Sequence, residues 1–155
     1  MFEALSYLME FSALNLEILF AEREIYRKIM SFARAMDQRD WETLEKLLAD
    51  DARANLGKGE IVGKREIVDF IRPFLEACGT TQHLIGNVVI YVDGDTATSQ
   101  SYVSDMHLGK EKKSNLTFRT LGEYFDEWVR LDGSWLLKRR VKDNRATVGT
   151  MDVFR

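Results

Sequence analysis

Hydrophobic residues in this chain recur first at helical and then at strand spacing. Phe2, Leu5, Leu8, Met9, Phe11, Leu14, Leu16, Ile18, Leu19 and Phe20 spread around most of a helix, a wider apolar band than a surface helix needs. An extra N-terminal helix over residues 1–20 is therefore expected, covering the core or a dimer partner, or closing over a ligand pocket. From Arg23 to Asp37, Ile25, Tyr26, Ile29, Met30, Phe32, Ala33, Met36 and Asp37 share one side, and Arg27, Ser31, Arg34 and Ala35 the other. Asp37 thus continues an apolar stripe and points inward, where a carboxylate needs a partner. Asp40 is placed to cap a short helix faced by Trp41, Leu44, Leu47 and Leu48.

Ala52 to Val62 reads as two short strands about the turn Gly57-Lys58-Gly59. Gly63 to Ala77 reads as a helix whose apolar face includes Ile67, Phe70, Ile71, Phe74 and Leu75, with a kink expected at Pro73. Beyond it the pattern is that of strands: His83–Val92, Thr96–Met106, Leu116–Arg130 and Trp135–Lys142, separated by Asp93-Gly94-Asp95, a charged turn and Asp132-Gly133. The tail from Ala146 to Arg155 carries no readable signal. The order α-α-β-β-α-β-β-β-β after the extra helix predicts a single α+β domain over residues 1–155, an antiparallel sheet with helices on one face.

Composition narrows the function classes. The chain has 155 residues, 45% hydrophobic and 30% charged, the balance of a globular domain. A formal net charge of −3 argues against nucleic acid as a partner. Glu3, Glu10 and Glu17 interrupt the apolar N-terminal stretch, so neither a signal peptide nor a membrane span is expected and a cytoplasmic location follows. One cysteine, Cys78, allows no intramolecular disulfide, and two histidines with no Cys/His spacing predict no metal site. Glycine-rich phosphate loops and nucleophile elbows are absent from the sequence.

What chemistry remains centres on His83, at the head of an apolar strand. Alternation places His83, Ile85, Asn87, Val89 and Tyr91 on one face. If that face meets the helices, Asp37 approaches the imidazole, fixing its tautomer and stabilising the imidazolium that forms when the other nitrogen takes a proton. The same two residues equally make a buried structural pair. Tyr102, with Gln100 and Ser104, and Tyr124, with Asp126, are further candidates to line the space. So is Arg139, which shares a face with Trp135, Leu137 and Val141 and alternatively pairs with Glu123 or Glu127. His107, at a strand end beside charged residues, is expected in solvent.

The stretches Phe32-Ala33-Arg34-Ala35-Met36-Asp37-Gln38-Arg39-Asp40-Trp41, Gln82-His83-Leu84-Ile85-Gly86-Asn87, Asp93-Gly94-Asp95-Thr96-Ala97-Thr98 and Gly122 to Arg130 followed by Asp132-Gly133-Ser134-Trp135 resemble the SnoaL-like branch of the nuclear-transport-factor-2-like superfamily. The resemblance implies a cone: a strongly curved, antiparallel or mixed sheet wrapped around three to four helices, enclosing an apolar pocket and dimerising through the sheet. It also implies a cofactor-free Asp–His pair of the kind found in polyketide cyclases and dehydratases, carried here by Asp37 and His83. Related dehydratases have a Tyr or Lys five residues before the Asp, where this chain has Phe32. The function expected is a cofactor-independent lyase or isomerase acting on a small apolar carbonyl compound, with Tyr102, Asn87, Tyr124, Phe32, Phe70, Phe74 and Arg139 lining the site. The alternative is a non-catalytic binding or oligomeric assembly module of the same fold.

Overall fold

A computed structural model describes residues 2–155, with side chains from residue 16 onward. Helix α1 runs unbroken from Phe2 to Gln38. No Gly or Pro interrupts this stretch, so the two expected helices are one. Leu16, Leu19 and Phe20 are exposed; what the apolar side chains of residues 2–14 cover lies outside the described residues. The buried face is Ile25, Ile29, Phe32, Ala33, Ala35 and Met36, so Ala35 belongs to the core side and not to the polar side the spacing suggested.

Helix α2 (Trp41–Lys46) starts at Asp40, whose carboxylate accepts from the Thr43 amide at 3.0 Å. Strand β1 (Leu48–Asn55) begins directly after it and absorbs Asp50 and Asp51, burying Ala49, Ala52 and Ala54. β2 (Glu60–Val62) returns against β1, and α3 (Lys64–Ala77) continues through Pro73, burying Ile67, Val68, Ile71 and Leu75. The rest is sheet: β3 (Thr81–Asp93), β4 (Thr96–Leu108), β5 (Thr117–Leu131) and β6 (Ser134–Gly149). The strand order is β2-β1-β6-β5-β4-β3, antiparallel except for β1 with β6, an open mixed sheet with the helices against its inner face. Among the described residues no helix is long and apolar enough to cross a membrane.

Three irregularities set which side chains face in. The β3–β4 register shifts between Gly86 and Val89, with Asn87 at φ 50, so Val88, Ile90 and Val92 pack on the core while Asn87, Val89 and Tyr91 turn outward. The β5–β6 register shifts between Glu127 and Trp128 and again between Leu121 and Gly122. The first of these places Arg140, not Arg139, on the inner face beyond Leu137.

The tail is not silent. β6 extends through Ala146 to Gly149, and a 3-10 turn (Met151–Phe154) folds back over the sheet end. Gly149 adopts φ 98 where the chain passes Thr117 so closely that an added Cβ would lie 2.0 Å from its carbonyl oxygen. Only glycine fits that reversal. Val153 is thereby fully buried, its carbonyl facing the Cys78 thiol, a structural cysteine whose pKa burial pushes up.

Candidate active site

Asp37 sits in the last turn of α1 and His83 near the start of β3, where the helix crosses the sheet. The carboxylate takes three donors: the Thr81 hydroxyl on Oδ1 at 3.0 Å, the His83 amide on Oδ2 at 3.0 Å, and His83 Nδ1 against Oδ1 at 2.7 Å. An ionised carboxylate only accepts, so Nδ1 carries a proton, and in the neutral ring the lone pair is on Nε2. Burial favours the neutral Asp37 acid, but the hydrogen bonds from the His83 ring, the His83 amide and the Thr81 hydroxyl outweigh it and hold the carboxyl below its ordinary value. The His83 side chain is 5% exposed and that of Asp37 22%.

His83 lines a cavity of about 290 Å³ between the helices, the sheet and the C-terminal turn. One wall is apolar: Phe32, Phe70 and Phe74, with Phe118 and Phe154 beyond them. Phe154 makes edge contacts with Phe74 at 5.8 Å, Phe118 at 5.3 Å and His107 at 5.1 Å, which fixes the C-terminal turn over the cavity.

The opposite wall is polar and comes from β4, β5 and β6. Arg140 donates to both oxygens of Asp126, at 2.8 and 2.7 Å, and lies between the rings of Phe32 and Tyr124, at 4.2 and 4.0 Å. Burial works against its charge, yet the Asp126 pair raises its pKa above the usual value. Asp105 is fully buried, with Lys142 on one oxygen and the Thr120 amide and hydroxyl on the other at 3.0 and 2.6 Å. Burial would raise its pKa, but the Lys142 charge and these hydrogen bonds hold it low. His107 meets His83 edge-on at 5.5 Å between centroids, and its Nδ1 donates to the Phe118 carbonyl at 3.3 Å. Burial pushes its pKa down to about 4, so the ring is neutral with Nε2 free to accept. Tyr124 is buried beside Arg140, and burial pushes its phenol up.

The structure thus brings His83, Asp37, Phe32, Phe70, Phe74 and Tyr124 to one place, and excludes three residues expected there. Asn87 is turned out by the bulge. Tyr102 is 45% exposed on the outer face, because Ser101 and Val103 supply the inner face of β4. Arg139 lies outside, paired with Glu60 at 3.3 Å and Glu127 at 3.5 Å, the latter being the pairing anticipated. His107, expected in solvent, is inside. Residue spacing does not mark Arg140, Lys142, Asp105, Thr120 or Phe154 for the site. The inner-face series Ser99, Ser101, Val103, Asp105 and His107 was the signal available, since it alternates with the outward Tyr102. Among the described residues no three His, Cys, Asp or Glu side chains cluster to hold a metal ion.

Comparison with known proteins agrees with this fold. A Mycobacterium tuberculosis protein of uncharacterized function is 28% identical over 121 residues, 77% of this chain and 82% of the relative. A scytalone-dehydratase-like protein from Novosphingobium aromaticivorans superposes with a TM-score of 0.76 at 24% identity, over 85% of this chain and 89% of its own. A hexachlorocyclohexane dehydrochlorinase from Novosphingobium barchaimii does so with a TM-score of 0.75 at 18% identity, over 86% and 92%. At these identities the solved structures establish the fold alone. The SnoaL-like domain matches residues 17–141, which include Asp37, His83 and the polar wall as far as Arg140, and the chain belongs to that family.

Proposed function

We propose that this protein is a cofactor-independent lyase or isomerase acting on a small, largely apolar carbonyl compound. The observation that carries the reading is a nearly buried imidazole, bonded through Nδ1 to Asp37 at 2.7 Å, at the wall of a cavity of about 290 Å³. His83 Nε2 takes the proton α to the carbonyl, and the C–H electron pair moves into an enolate. Asp37 stabilises the imidazolium so formed. The enolate oxygen gains most from donors already in place, here the Tyr124 hydroxyl and the guanidinium of Arg140. The imidazolium then returns its proton to another carbon of the enolate system, completing an isomerisation; to the oxygen of a second carbonyl whose carbon the enolate has attacked, completing a cyclisation; or to a leaving group expelled from the β carbon as the double bond forms, completing an elimination. Phe32 has no proton to offer a leaving group, so in an elimination that help falls to Arg140 or Lys142.

The test is deuterium exchange: apolar ketones, thioesters and unsaturated acids are incubated with the protein in D2O and α-deuteration is followed by NMR. Exchange with the wild type that disappears in His83→Ala supports the reading. Exchange that survives in His83→Ala sinks it.

The outer face of the sheet supports a second copy of the chain as partner. Leu84, Tyr91, Tyr102, Leu121, Phe125 and Val148 are exposed there, an apolar face of the kind that marks an interaction surface.

A further inference from the structure

The carboxylate of Asp37 is held by a chain of donors that begins outside the cavity. α1 ends in a left-handed turn: the Arg39 amide donates to the Met36 carbonyl at 3.2 Å, and the Asp40 amide to Ala35 at 2.9 Å. Arg39 supplies the residue in that turn with φ 61, a position that glycine fills best because a Cβ is crowded there. An arginine in this place is explained by what its side chain reaches. Nη2 donates to the Gly79 carbonyl at 3.0 Å, and Nη1 to the Met36 and Asp37 carbonyls at 2.8 and 3.2 Å. Nη1 also donates to the Thr81 hydroxyl oxygen at 2.8 Å.

That last contact sets a direction. A guanidinium only donates, so the Thr81 oxygen accepts from it, and the single hydroxyl hydrogen is left for Asp37 Oδ1 at 3.0 Å. With the His83 amide on Oδ2, the carboxylate is pinned at both oxygens in the orientation that meets Nδ1. We propose that Arg39 and Thr81 are positioning residues for proton abstraction: the relay Arg39–Thr81–Asp37 keeps the His83 proton on Nδ1 and leaves Nε2 bare toward the cavity. The inference rests on His83 as the base.

The tautomer is read directly from long-range 1H–15N spectra of the 15N-labelled full chain, with the two imidazoles distinguished through His107→Gln. Wild-type His83 should show a protonated Nδ1 and a bare Nε2. Arg39→Gly gives the turn the residue it prefers while removing the guanidinium, so its melting temperature should hold while His83 becomes a mixture of tautomers. Thr81→Val should give the same mixture, and Thr81→Ser should restore the wild-type pattern. Wild-type nitrogen shifts in both Arg39→Gly and Thr81→Val would overturn the relay alone. So would a lowered melting temperature in Arg39→Gly with a wild-type spectrum in Thr81→Val, since Arg39 would then be only a staple between helix and strand. A wild-type ring protonated on Nε2 would overturn the base assignment as well.

Discussion

Replacing Asp37 with Asn keeps the shape of the side chain and isolates what the carboxylate does. Three donors converge on it in the native arrangement, from Thr81, the His83 amide and His83 Nδ1. An amide offers one oxygen and one NH2, so it has two orientations to choose from. With the oxygen kept at the Oδ1 position, the NH2 faces the His83 amide, donor against donor. That leaves a sheltered backbone N–H without a partner, at a cost of about 1–3 kcal/mol. With the NH2 at the Oδ1 position, the His83 amide keeps its acceptor, but Nδ1 must itself accept. The ring does so by moving its proton to Nε2, the nitrogen assigned to the base.

The second orientation costs the Thr81 hydroxyl its acceptor, but a hydroxyl can rotate and accept from the NH2 whereas a backbone N–H cannot, so this orientation is favoured. Proton abstraction should fall by about two to four decades, the usual effect of losing a general base or its tautomer, while the melting temperature changes little. Deuteration of a substrate found with the wild type measures the first quantity, and thermal melting the second. Exchange close to the wild-type rate in a folded Asp37→Asn protein would refute the reasoning. A large drop in melting temperature would instead mark the pair as structural.

The neutral, buried His107 makes stability depend on pH. Its folded pKa lies near 4 against an ordinary 6.5, so between those values the unfolded chain binds the extra proton and the fold loses stability as pH falls, by about 3 kcal/mol across the window. Melting curves of wild type and His107→Gln from pH 7 to 4 should diverge in slope, and parallel curves would contradict the assignment. The ion pair of Asp126 with Arg140 is buried on both sides, so Asp126→Asn should cost about 3–5 kcal/mol in urea denaturation by leaving a guanidinium without its counter-charge. Adding Arg140→Met should recover part of that loss; no recovery would mean that packing, not charge, sets the cost. On the outer face, Leu121→Glu should separate two copies of the chain. Light scattering should show a dimer for the wild type and a monomer for the variant, and a monomeric wild type would end the dimer reading.

The elements were legible because each rests on local spacing. The helical stripe that ends at Asp37, the N-cap at Asp40 and the four long strands appear where the pattern placed them, except that Ala35 joins the buried side and the last strand runs on to Gly149. The dyad was legible for the same reason: Asp37 is the polar residue that continues an apolar stripe, and His83 lies ahead of the bulge in its strand. What failed lies beyond an irregularity. Strict alternation puts Asn87 on the His83 face, but the shift after Gly86 reverses the parity of β3. Alternation groups Arg139 with Leu137, but the shift opposite Glu127 inserts one residue and sends Arg140 inward. Neither bulge has a local signature, because each arises from how two strands pair across the sheet.

Tyr102 and His107 were misplaced for a different reason. Tyr102 is large and aromatic, and His107 adjoins a charged turn, so residue type argued for one inside and the other out. Alternation in β4 runs the other way, placing Ser99, Ser101, Asp105 and His107 on the buried face. A buried face rich in small and polar residues reads as a solvent face unless its partners are known. Those partners come from other strands: Trp128 donates to Ser99, Lys142 to Asp105, and Arg140 answers Asp126 from the neighbouring strand. Each of these pairs is shared between separate strands, since adjacent residues on one strand point opposite ways. The polar wall of this site is therefore a property of the paired sheet, whereas the dyad's members each announce themselves on a single element.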